Sequence, residues 1–173
     1  MNRLAIELSS WILADGNYEY VSFEVGKTAK FAVEFLCQSY TISSDPLSVT
    51  SCVGRPSFYN ATAKVIYRSE SARVLNLGII SAFRAGANDL TVGQRVRGEV
   101  SLHVDPFVYY EQLFKLPGMP PLIYEWNIER IEMDVSPFIA VVTANGQRVL
   151  TRDDTKISYL PISRIHLPND KAA

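Results

Sequence analysis

The sequence predicts an all-β protein: an antiparallel barrel or sandwich of about nine to eleven strands with at most one short helix, or two small barrels fused. Three observations carry that expectation. Apolar and polar residues alternate with period two over most of the chain, which is what a half-buried strand requires. Apolar residues at helical spacing are scarce, and turn residues interrupt the runs at short intervals.

From the amino terminus, Leu4, Ile6 and Leu8 alternate with Arg3, Ala5 and Glu7, and Trp11 to Leu13 prolong the run to a turn at Ala14-Asp15-Gly16-Asn17. Tyr18 to Phe23 reads as a short strand. Phe31, Val33 and Phe35 alternate with Lys30, Ala32 and Glu34, the clearest strand of the first third. Residues 39–57, rich in Ser, Thr and Pro, form a long loop, and any sub-boundary within a single compact domain spanning 1–173 falls there.

Asn60 to Arg68 and Arg73 to Phe83 read as the arms of a hairpin joined by Ser69-Glu70-Ser71-Ala72. Val96, Val100, Leu102 and Val104 then share one face of a strand that ends at Asp105-Pro106, because proline removes a ladder donor. Phe107 to Phe114 has helix-compatible spacing before the Pro-rich break at 116–121. Tyr124, Trp126 and Ile128 alternate with Glu125, Asn127 and Glu129, and a phase shift at Ile131 and Met133 predicts a bulge near Arg130. Phe138 to Thr143, Asn145-Gly146 and Arg148 to Thr151 spell a hairpin, and a last strand follows near 157–165.

The composition excludes several classes. With 173 residues, 47% hydrophobic and 20% charged, the chain buries roughly 70% of its unfolded surface and needs no disulfide or metal staple. Glu7 and Asp15 interrupt the amino-terminal apolar run, so it does not read as a signal peptide, and no uncharged run approaches the ~18 residues of a membrane helix. A soluble, cytoplasmic protein with no membrane partner is expected. Cys37 and Cys52 have neither CxxC spacing nor a neighbouring His, so no metal site, no cofactor and no redox motif is expected, and both thiols stay reduced.

The formal net charge of −1 is a remainder. Residues 1–54 carry 3 basic and 6 acidic groups, 55–100 carry 7 and 3, 101–137 carry 2 and 6, and 138–173 carry 5 and 3. Such alternation suits strands whose solvent faces complement one another. It also outlines a basic strand surface of Arg68, Arg73, Arg84, Arg95 and Arg97 with Tyr67. The stretch Val92-Gly93-Gln94-Arg95-Val96-Arg97-Gly98-Glu99-Val100 resembles the first strand of OB-type barrels, which bind single strands on basic, aromatic surfaces. That resemblance covers nine residues and implies no residue roles. The acidic segments cancel the long-range attraction such binding relies on, so nucleic acid is a secondary expectation.

Histidine chemistry has two sources, His103 and His166. His103 and Asp105 lie two apart on one strand face, with Glu111 following on the helix, and a hydrolase-type acid/base set could be built from them. The competing reading makes His103 a solvent-face residue and Asp105 the acceptor that opens a turn. Glu125, Glu129, Glu132 and Asp134 around Trp126 suggest a glycosidase-like carboxylate pair or, more simply, a solvated strand face. No phosphate loop, dinucleotide fingerprint, GxSxG elbow or zinc-protease motif is present. The primary expectation is therefore a non-catalytic binding domain. It would engage a protein partner or small ligand through aromatic-rich loops containing Trp11, Asp15, Asn17, Tyr18 and Tyr20, with Tyr109 and Tyr110 in a second loop. Self-association through a strand edge is the accompanying expectation, since Lys and Pro guard only some edges.

Overall fold

A computed structural model describes residues 3–8, 23–86, 90–105, 107–153, 155–162 and 164–165. The fold is nearly all β, 54% strand and 4% helix, and is built around a closed five-stranded barrel with additional strands. The strands are β1 (Phe23–Glu24), β2 (Thr28–Leu36), β3 (Tyr40–Ile42), β4 (Ser48–Cys52), β5 (Arg55–Arg68), β6 (Ala72–Asn76), β7 (Ser81–Ala85) and β8 (Arg95–Asp105). A π-helical turn (Tyr109–Leu113) separates these from β9 (Tyr124–Asn127), β10 (Ile131–Asp134), β11 (Phe138–Val142), β12 (Arg148–Arg152), β13 (Tyr159–Ile162) and β14 (Arg164–Ile165).

Two compact units share the chain. Among the described residues, one holds 3–8 and Lys30–Trp126 and the other 23–29 and 127–165. The Ser- and Pro-rich stretch 39–57 lies inside the first unit, where it supplies β3 and β4.

In the first unit, neighbouring strands run β8, β2, β7, β6, β5 and back to β8. All pairs are antiparallel except β2 with β7. Counted from β5, the ring closes in the order one, two, three, five, four, with β2 in the fifth place although it comes first in the chain. The stretch 92–100, which resembles an OB first strand in sequence, instead opens the strand in the fourth position, and β5 holds the first. β5 can serve both neighbours because it is long: Phe58 to Lys64 pair with β8, and Lys64 to Arg68 pair with β6. A bulge between Val65 and Tyr67 shifts its phase, turning Tyr67 to the outside.

The alternation of the sequence becomes two buried faces. Phe35, Ala63, Val65, Leu75, Val96 and Val100 share the inner face of the barrel. On the outer face, Ala32, Tyr67, Ala72, Val74 and Phe83 are also buried, under Tyr109, Leu113 and Leu122. The expected helix over 107–114 is therefore a cover for the barrel wall. Its turn is wide, with Phe114 donating to the Tyr109 carbonyl at 2.9 Å. The Tyr109 hydroxyl donates to the Pro120 carbonyl at 2.8 Å and accepts from the Leu122 amide at 3.1 Å, which fastens the Pro-rich return to the helix.

Two sequence expectations are corrected. The arm 73–83 is split, because β6 and β7 pair with each other across a turn at Leu77–Ile80, where Leu77 donates to Ile80 at 2.9 Å. The acid-rich run 124–134 contains no bulge: its phase shift marks the passage of the chain from the first unit to the second, with β9 paired to β2 and β10 paired to β13.

The second unit consists of two-stranded sheets, β1 with β14, β10 with β13 and β11 with β12. The hairpin β11–β12 turns through Gly146 at φ 82°, as its Asn-Gly pair predicts. Buried Ser136 and Asp153 tie its base: Arg152 donates to the Ser136 carbonyl, and the Asp153 carboxylate accepts from the amide and hydroxyl of Thr155. No helix among the described residues is long and apolar enough to cross a membrane.

Candidate functional site

The outer face of β8 beside β2 gathers the polar side chains with chemical potential. Period two places Ser101, His103 and Asp105 on one face, and Glu34 of β2 stands directly opposite His103. The amino-terminal segment joins them. Glu7 exchanges backbone bonds with β8, donating to Leu102 at 2.9 Å and accepting from Val104 at 2.8 Å, while the Tyr59 hydroxyl clamps Ala5 through both its amide, at 2.7 Å, and its carbonyl, at 3.0 Å.

His103 is therefore partnered differently from the sequence-based set. Its Nε2 lies 2.8 Å from Ser101 Oγ, and its Nδ1 lies 4.0 Å from Glu7 Oε2. Asp105 does not orient the imidazole. One of its oxygens accepts from the amides of Phe107 at 3.3 Å and Val108 at 2.9 Å, and the other from Tyr109 at 2.8 Å, so the carboxylate caps the π-helical turn. Burial pushes the Asp105 pKa above the usual carboxylate value; the three amide bonds pull it down, and nearby Glu34 raises it further. Glu111 is exposed on the helix. The sequence alone does not single out Ser101 and Glu7, the partners of His103. Ser101 was accessible to the period-two rule, whereas Glu7 reaches β8 only through tertiary pairing.

Serine, histidine and glutamate in this order form the pattern of nucleophile, base and orienting acid. Access argues against that use. Ser101 is 5% exposed and lies between Leu36 of β2 and Phe58 of β5, whereas a nucleophile needs open space about 3 Å from its hydroxyl. Nor do the described residues contain any group of three or more His, Cys, Asp and Glu suited to a metal. His103→Ala is expected to lower stability by about 1 kcal/mol, the net worth of one hydrogen bond, in urea unfolding. A larger loss coupled to disappearance of an ester-hydrolysing activity would contradict the structural role.

The basic surface is dispersed. Arg68, Arg73 and Arg84 are successive cross-strand partners on β5, β6 and β7. Arg73 lies 5.5 Å from the Phe35 ring centre and lines the space at the end of the barrel, and Arg84 pairs with Glu34 at 2.8 Å, while Arg68 is exposed. Arg95 donates to the carbonyls of Ser44 and Asp45, and Arg97 reaches the Asp45 carboxylate at 3.3 Å, so both brace the loop between β3 and β4. Tyr67 is buried beside the helix. OB barrels bind oligonucleotides on the face of their second and third strands. Here that face, on β6 and β7, is covered by residues 107–123 of the same chain.

The remaining candidates separate as well. Trp11, Asp15, Asn17, Tyr18, Tyr20 and His166 lie outside the described residues. Tyr109 is buried, and Tyr110 stands edge-on to it at 6.3 Å, partly exposed. Glu125 pairs with Lys30 in the first unit, whereas Glu132 and Asp134 pair with Arg130 and Arg152 in the second. Cys37 and Cys52 are free thiols, the first donating to the Ser39 carbonyl at 3.0 Å. The space at the end of the barrel, lined by Phe35, Cys37, Arg73, Leu75, Leu90 and Val96 among others, has room for about one water.

Large apolar side chains are exposed in both units, among them Ile42 and Val53 in the first. In the hairpin β11–β12, Phe138 is 58%, Val142 65% and Leu150 72% exposed, and Ile139 is exposed on the opposite face. The Arg152 guanidinium sits 4.0 Å from the Phe138 ring centre. No protein-family model matches the chain, and no curated protein or solved structure is significantly similar to it.

Proposed function

We propose that the chain is a non-catalytic interaction domain that engages a protein partner through the apolar hairpin β11–β12 of its second unit. The observation carrying this reading is the exposure of Phe138, Val142 and Leu150, three large apolar side chains on one face of a two-stranded sheet. A lone hairpin is marginal in water, and clustered apolar surface on it favours a partner that covers it. Two further observations support binding over catalysis. Ser101 is buried, and the space at the end of the barrel is too small for an organic ligand.

The double variant Phe138→Ser, Leu150→Ser tests the surface. Exposed residues predict a stability loss of about 1 kcal/mol, mostly the Arg152 contact with Phe138, together with loss of binding of an apolar fluorescent dye. A loss of about 4 kcal/mol in thermal or urea unfolding would mean that these side chains are core in solution, and the reading would fall.

A further inference from the structure

We infer that the partner of the hairpin is a second copy of this chain, joined by antiparallel pairing of β11 with β11 across a two-fold axis at Ala140. This rests on the interaction reading and adds the partner's identity to it. Unguarded sheet edges pair with other strands, and proteins block them with charge or proline. In the second unit, the four strands longer than two residues differ in this respect. β13 contains Pro161, which interrupts a ladder. β10 pairing with its own copy about Met133 would set Glu132 against Asp134, and β12 doing so about Leu150 would set Arg148 against Arg152. β11, Phe-Ile-Ala-Val-Val, carries no charge and no proline. Self-pairing about Ala140 sets Phe138 against Val142 and Ile139 against Val141.

The hydrogen-bonding phase selects the same register. Thr143 donates to the Gln147 carbonyl and Asp153 to the Pro137 carbonyl, so the odd-numbered residues of β11 bond to β12. The amides and carbonyls of Phe138, Ala140 and Val142 consequently point to the opposite edge, where no strand among the described residues pairs with β11. A two-fold axis at Ala140 brings these outward groups together in mutual pairs: Ala140 with its copy, and Phe138 with the copy's Val142. A four-stranded sheet results, in the order β12–β11–β11–β12, in which Phe138 of each copy packs beside Val142 of the other on the face that also carries Leu150 of the outer strands.

Sedimentation velocity of the full chain over about 1 to 100 µM tests this. The wild type is expected to form a dimer in that range. Ala140→Lys, which sets like charges at the axis, and Ala140→Pro, which removes the outward amide while sparing the bonds to β12, are each expected to weaken it about 100-fold with unchanged circular dichroism. Ala140→Cys is expected to give a disulfide-linked dimer on mild oxidation where the wild type gives none, because directly opposed residues of a hydrogen-bonded pair lie about 5.5 Å apart. A monomeric wild type that binds the apolar dye overturns the dimer and leaves the interaction reading standing. A monomer that binds no dye overturns both. A dimer undiminished by Ala140→Lys and Ala140→Pro, with no disulfide-linked species from the Ala140→Cys variant, places the interface elsewhere and overturns the proposal.

Discussion

Asp105→Ala is expected to lower the unfolding free energy by about 4 kcal/mol and the melting temperature by about 10 °C. Asp105 is 2% exposed, and its carboxylate accepts from the amides of Phe107, Val108 and Tyr109, the first backbone donors after β8. Alanine supplies no acceptor and admits little water, so each amide bears the cost of an unsatisfied buried donor, about 1 to 3 kcal/mol. The damage extends beyond the turn. Tyr109 and Leu113 cover Val74 and Phe83 on the barrel wall, so a frayed helix uncovers an apolar face. Asp105→Asn retains one acceptor oxygen and should lose about half as much.

The two variants also separate charge from capping. Burial raises the Asp105 pKa in the folded state, so between the usual carboxylate value and that raised value the unfolded chain gives up its proton first. The folded protein then binds more protons than the unfolded one, and stability from this group falls as pH rises through the window. Below the window both states are protonated and the penalty vanishes. The stability of the wild type relative to Asp105→Asn should therefore decline as pH rises from about 3.5 and level off above the raised value. A relative stability that instead rises with pH would mean that the three amides outweigh burial.

How much of this was legible depends on whether a feature is local. β2 and β8 follow directly from alternation, because each has a face turned to the barrel interior throughout. The turn at Ser69 is equally local: the Ser69 hydroxyl accepts from the amides of Ser71 and Ala72. The parallel pairing of β2 with β7 and the sharing of β5 between two neighbours are choices of topology that alternation does not encode. The second unit eluded a linear reading because it is assembled from both 23–29 and 127–165. At the polar face of β8, His103 and Asp105 were visible as a pair, but only tertiary structure separates their partners, sending one to Ser101 and Glu7 and the other to the helix amides. The arginines illustrate the converse. Basic residues close in sequence became structural braces once Glu34 and Asp45 arrived from other strands.

Gly98→Ala is the second large loss expected, about 3 kcal/mol in denaturant unfolding. The glycine lies in β8 opposite both Ala61 of β5 and Tyr40 of β3. Its backbone conformation is ordinary, so strain in φ is not the issue. A methyl group here would meet the Ser39 carbonyl oxygen at 2.6 Å, with Cys37 Sγ at 3.3 Å and Tyr40 Cα at 3.4 Å. The first of these contacts is with backbone, which cannot rotate away as a side chain would. Relief requires β3 to lift from β8, breaking the pairs of Tyr40, Thr41 and Ile42 and the Ser43 amide bond to Arg95. Because β3 joins the barrel to β4, the change should also expose Cys37, which burial holds above the usual thiol pKa, to alkylating reagents. Faster Cys37 labelling together with the loss of stability identifies the clash as the cause. An alanine variant as stable as the wild type, with Cys37 still protected, would show that β3 does not cross β8 this closely.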